Sequence, residues 1–143
     1  MSRLYNQEGD IVAQYRLTVA AVLLSSLSVV PALAMAEKVT PLMAQDLAGL
    51  AGKEGIMLTV EYAPGASSTK HRHNGHVFVY VLEGSVVMQV EGGKAVTLEP
   101  GQTFYESPGD VHSVSRNASD SKPAKFVVVV VKDKSAPPVI PVK

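Results

Sequence analysis

Between residues 56 and 131 the chain is a train of short apolar runs cut by turn dipeptides. Residues 56–63 stop at Pro64-Gly65, 77–82 at Glu83-Gly84, and 86–91 at Gly92-Gly93. Residues 95–98 stop at Glu99-Pro100-Gly101 and 103–106 at Ser107-Pro108-Gly109-Asp110, while 111–115 and 125–132 complete the series. Proline fixes φ and glycine reaches positive φ, so each dipeptide ends a strand and turns the chain. Short strands at this spacing build an antiparallel sandwich or barrel, and the fold class is all-β. Residues 77–82 and 127–131 are apolar at every position, which predicts central strands covered on both faces, by the core and by a partner sheet or subunit. Residues 86–91 alternate, with Val86, Met88 and Val90 on one face. Residues 42–50 predict one short helix ended by Gly52. The segment 135–143, with Pro137, Pro138 and Pro141, reads as an extended tail available to a partner.

Residues 17–36 carry no charge and follow Arg3 and Arg16. Pro31 ends the apolar run, and Ala32-Leu33-Ala34 and Ala34-Met35-Ala36 follow as small-residue cleavage sites. That is the order of an export signal, cut after Ala34 or Ala36, with an uncleaved membrane anchor as the alternative. The expected organisation is a signal helix over 1–36, an extension with a short helix over 37–55, a β-barrel over 56–132 and a proline-rich tail over 133–143. The mature chain would be periplasmic or extracellular, touching membrane only if the signal stays.

Across 143 residues, 13 Lys+Arg balance 13 Asp+Glu. A neutral chain lacks the excess positive charge that supplies most nucleic-acid affinity. There is no cysteine, which excludes disulfide frameworks, thiolate metal sites and cysteine nucleophiles.

The four histidines carry the functional signal. His71, His73 and His76 cluster, and His112 follows the Pro108-Gly109 turn. On a strand, residues two apart share a face, so His71 and His73 point the same way. A third imidazole from a neighbouring strand would complete a convergent set for a metal. Alone, the pair is a weak signal, and a polar surface loop with incidental histidines is the plainer reading.

The spacing adds more. Gly65-x5-His71-x-His73, with Gly84 further on, resembles the first motif of the cupin family, G-x5-H-x-H-x3,4-E-x6-G. Gly101, Pro108-Gly109, His112 and Asn117 resemble the second, G-x5-P-x-G-x2-H-x3-N. Pro108 and Asn117 each stand one place late, and Ser107 occupies the usual proline position. The resemblance covers residues 56–131. It implies a jelly-roll β-barrel, commonly a homodimer, with a divalent metal held by the motif histidines and glutamate. Carried over, the ligands are His71, His73 and His112. The glutamate position falls on Val77 or Phe78, and neither can ligate.

Three readings follow: a three-histidine centre, a centre with His76 as fourth ligand after a register shift at Asn74-Gly75, or a metal-free barrel whose histidines bind an anion or are relics. Imidazole sets suit Fe, Zn, Ni or Cu over Mg or Ca. A divalent ion without the carboxylate would keep its full charge and favour an anionic ligand. Candidate pocket residues are Phe78, Tyr80, Met88, Phe104 and Tyr105, each with core packing as the plain alternative. Gln89 and Glu106 are polar positions in apolar strands, able to orient an imidazole or to face solvent. No general base is identifiable. The implied function is an exported metal-binding cupin, a dioxygenase-type oxidoreductase on a small organic substrate or a non-catalytic binder of metal or small ligand.

Overall fold

The computed structural model describes residues 37–143; the export signal and cleavage sites expected from the sequence lie outside the described residues. Ten strands run in chain order: β1 Glu37–Asp46, β2 Lys53–Tyr62, β3 His71–Arg72, β4 Gly75–Glu83, β5 Val86–Val90, β6 Val96–Leu98, β7 Thr103–Glu106, β8 Val111–Asn117, β9 Ala124–Asp133 and β10 Ile140–Pro141. They form two five-stranded antiparallel sheets, ordered β1-β2-β9-β4-β7 and β10-β3-β8-β5-β6. The sheets face each other across one core, which is the jelly-roll arrangement.

Alternation on β4 and β9 builds much of that core. On β4, Val77, Val79 and Val81 are buried; on β9, Phe126, Val128 and Val130; on β5, Val86 and Met88. Val60 and Tyr62 enter from β2, and the Tyr62 and Phe126 rings meet edge-on at 5.3 Å. The β4–β5 turn needs a glycine at position 84: its φ is 67°, and a Cβ there would strike the Pro123 carbonyl oxygen.

Two expectations change. Residues 42–46, expected as helix, complete β1, which pairs with β2 from Glu37↔Tyr62 to Asp46↔Glu54. A single isolated helical turn has a costly nucleus, whereas a hairpin partner satisfies the backbone along its length. Residues 47–52 form the connecting turn. The tail also behaves differently: it folds back on its own barrel rather than outward. Ile140 pairs with Arg72 and Pro141 with His71, and the Val142 N–H donates to the Lys70 carbonyl. Its base is fixed by buried Lys132, whose ammonium donates to Glu54 and to the Asp133 and Ala136 carbonyls.

The continuous apolar runs divide by face. The outer residues of β4, Phe78 (49% exposed), Tyr80 (47%) and Leu82, stand open, and Tyr105 of β7 joins them. Val127, Val129 and Val131, on the outer face of β9, are half-buried.

Candidate metal centre

β3 supplies His71 and leads directly into His73; β8 supplies His112. His71 and His112 are cross-strand partners. The turn between β7 and β8 positions this pairing. Asp110 N–H donates to the Ser107 carbonyl at 3.0 Å, with Pro108 and Gly109 (φ 87°) between them, which is a type II turn. The Ser107 N–H donates to Asp110 Oδ2. The Gly109 N–H then donates to the His73 carbonyl at 3.0 Å, tying the second motif to the first.

One ring nitrogen from each of His71, His73 and His112 lies within 4.8 Å of the others. Their hydrogen bonds settle the tautomers. His71 Nδ1 donates to the Thr69 carbonyl at 2.7 Å, and His73 Nδ1 to the Pro138 carbonyl. His112 Nδ1 lies 3.1 Å from Glu106 Oε1. Carbonyl and carboxylate oxygens accept, so each Nδ1 carries a proton, and in the neutral imidazole Nε2 is then the atom with the lone pair. Burial holds the His73 imidazole below the ordinary histidine range, against the opposing pull of the Pro138 carbonyl and Glu106. Neutral imidazole is the form that ligates a metal.

Two buried atoms in this site have no partner: His112 Nε2 and Glu106 Oε2. Glu106 Oε2 faces His73 Nε2 at 3.9 Å, so with His73 neutral two acceptors are turned toward each other between buried side chains. Leaving such groups unsatisfied costs about 1–3 kcal/mol each. A divalent cation satisfies acceptors of this kind, and the donor set of three imidazoles beside one carboxylate suits a transition metal. The residues present fit the group that the fold implies.

Glu106 is 2% exposed and is the cross-strand partner of Val77. A carboxyl group from the adjacent strand therefore stands beside the site, held against His112 Nδ1 and outside the set of three converging imidazoles. Phe104, two residues earlier on the same face, stacks on His112 at 5.9 Å and 27°.

The other sequence candidates sort by face. Met88 lines the cavity and is fully buried. Phe78 and Tyr80 do not line it: Val77 and Val79 take the inward positions, and alternation sends their neighbours out. His76 is likewise exposed on the outer face, hydrogen-bonded to the Tyr105 hydroxyl at 2.7 Å and stacked on its ring. No register shift turns it inward, because β4 pairs continuously with β9 from Gly75 to Val81, so it is not a fourth ligand. Gln89 bonds the Gly93 carbonyl in the β5–β6 turn and orients no imidazole. Asn117 ties loops together instead, donating to the Ala63 and Lys122 carbonyls.

The histidines open onto a cavity of about 250 Å³, with mostly apolar walls that include Leu58, Val60, Met88, Phe126 and Val128. Pro138 and Val139 of the tail close one side. A second polar group lines it: Glu37, Tyr62, Ser68 and Ser115. Sequence reasoning missed these residues and the tail. Tyr62 had one local signal, a polar aromatic at the inward end of β2; Pro138 had none.

Residues 58–130 match the Cupin_2 family model, described as a cupin domain. The chain belongs to that family. It is 32% identical over 74 residues to the tetracenomycin polyketide synthase protein TcmJ of Streptomyces glaucescens, an alignment covering 51% of this chain and 48% of that protein. The chain thus spans about half the length of that relative. Among solved structures it is similar to the polyketide cyclase RemF of Streptomyces resistomycificus, with TM-score 0.58, 24% identity, and 76% and 72% of the two chains covered. It is also similar to a cupin-like protein of Thermotoga maritima, with TM-score 0.59, 22% identity, and 74% and 75% covered.

Proposed function

We propose that this cupin holds a divalent transition metal, Fe, Zn, Ni or Cu, through the Nε2 atoms of His71, His73 and His112, and acts on a small, largely apolar organic molecule in the adjoining cavity. One observation carries the reading: each of the three imidazoles has an oxygen at its Nδ1–H, which leaves the Nε2 lone pair of each neutral ring free for a metal. When bound, the metal supplies Lewis-acid polarisation of a substrate oxygen and, if it is iron, the capacity for dioxygenase-type chemistry. The chain's own residues do the rest. Glu106 fixes the His112 ring and offers the compensating charge; Pro138 fixes His73; the valine and methionine walls exclude water and select an apolar body.

The test is elemental analysis of the full chain purified without chelator, followed by oxygen uptake in a screen of small organic substrates. A near-stoichiometric transition metal with substrate-dependent oxygen uptake supports the oxidoreductase. Tight zinc without turnover supports a non-catalytic binder instead. No metal after reconstitution overturns the reading. The similarity to a protein named as part of a polyketide synthase and to one named as a polyketide cyclase favours one second reading, ring closure of a small polyketide-like substrate in the same cavity. Product analysis without oxygen consumption would mark it.

Two further expectations belong to this proposal. The segment 17–36 supports export to the periplasm or outside the cell, tested by the mass of the mature chain recovered after cell fractionation. The open Phe78, Tyr80, Leu82 and Tyr105 face supports a homodimer, tested by sedimentation of the chain beside Tyr80→Lys.

A further inference from the structure

The polar group on the cavity wall is a connected chain. Ser68 Oγ donates to Glu37 Oε1 at 2.8 Å. The Tyr62 hydroxyl contacts Ser68 Oγ and also lies 2.7 Å from Ser115 Oγ. Tyr62 and Ser115 are buried, and all four residues line the same cavity. Each hydroxyl has one proton to give, and an ionised carboxylate only accepts. Ser68 gives its proton to Glu37, so its contact with Tyr62 requires Tyr62 to donate. Tyr62 has then spent its proton, so the contact with Ser115 requires Ser115 to donate. The chain therefore runs one way, from Ser115 to Tyr62 to Ser68 to Glu37, and Ser115 has no proton left for the cavity. Burial raises the Tyr62 pKa above the ordinary tyrosine range, which keeps the phenol protonated as the chain needs.

We propose that this carboxylate-polarised chain makes Ser115 an acceptor toward the cavity, so that the substrate is an organic molecule bearing a hydroxyl donor, of the phenol or enol class. The inference rests on the reading that the cavity receives a small organic molecule, and it names that molecule's chemical class. An ether or ketone of the same shape would meet a lone pair instead of a donor.

The probes are 2-naphthol and 2-methoxynaphthalene, titrated by their own fluorescence against the full chain at neutral pH. Chelator is present so that no metal competes for the oxygen. The naphthol should bind about tenfold more tightly than the ether, the effect of one net hydrogen bond. Ser115→Ala should bring that ratio close to one. Glu37→Gln replaces an acceptor-only group by one that can also donate, so the direction of the chain is released and the ratio should collapse or invert. A chain that merely braces the fold would shift both affinities together and leave the ratio unchanged. Equal binding of the two probes to the wild type, a ratio unmoved by Glu37→Gln, or no binding of either probe overturns the proposal. Metal content, measured on the same preparation before chelation, reports on the metal reading separately.

Discussion

His73 and His76 are three residues apart, and the wall of the barrel lies between them. His73 is 7% exposed, with Nδ1 held by Pro138 and Nε2 turned toward Glu106. His76 stands in the open, stacked on Tyr105. The side chains are chemically identical, so residue type does not make a ligand. Parity on the strand separates them: His73 faces inward toward His71 and His112, and His76 faces out, although each Nδ1 has an oxygen partner. The same parity separates Val77 and Val79 from Phe78 and Tyr80. Inside, Glu106 Oε2 and His112 Nε2 are buried without partners; outside, His76 is exposed on the surface against Tyr105.

The comparison breaks first at metal binding. His73→Ala should weaken metal affinity by more than about 100-fold, since a ligand counts for more than the group that orients it. His76→Ala should bind metal as the wild type does. Competitive titration with a metal indicator checks both, and loss of metal in His76→Ala would overturn the assignment of faces.

Next comes stability. Met88→Ala should lower unfolding free energy by about 2–5 kcal/mol, because it leaves a cavity between packed sheets. Tyr80→Ala on the open face should cost under about 0.5 kcal/mol in dilute protein. Urea titrations at low concentration measure both; comparable losses would show that the outer face is covered.

Glu106→Gln sharpens the inner half of the comparison. It keeps the shape and a carbonyl oxygen to accept from His112, and removes the charge. Metal affinity should fall by about 10–100-fold with the fold retained. Full affinity in this variant would show that the charge is not used.

The smallest effect is on pH dependence. Burial raises the Tyr62 pKa in the folded state. The unfolded chain therefore releases this proton first as pH rises. The contribution is fully present below about pH 10, the ordinary tyrosine value, and is lost as pH rises through the folded value. Tyr62→Phe should flatten the alkaline arm of the stability profile, read by urea unfolding between neutral and alkaline pH.

The sequence by itself determined strands β2 and β4 to β9, their turns and the three imidazoles. Pro64-Gly65, Gly92-Gly93 and Pro108-Gly109 act through local backbone sterics, and the i, i+2 spacing of His71 and His73 through the pleat, so both are legible without tertiary information. The helix expected over 42–50 failed because pairing with β2 outweighed local propensity, and the pocket roles expected of Phe78 and Tyr80 failed because a run apolar on both faces hides its parity. Only the tertiary structure decided which nitrogen of each histidine is free, that Glu106 stands across from Val77, that Pro138 returns to hold His73, and that Glu37, Ser68, Tyr62 and Ser115 join into one chain. Those facts depend on register and on contacts between residues far apart in sequence, such as Tyr62 with Ser115 and His73 with Pro138. Local chemistry restricts what each segment can be; which groups meet is set by how the two sheets close on one another.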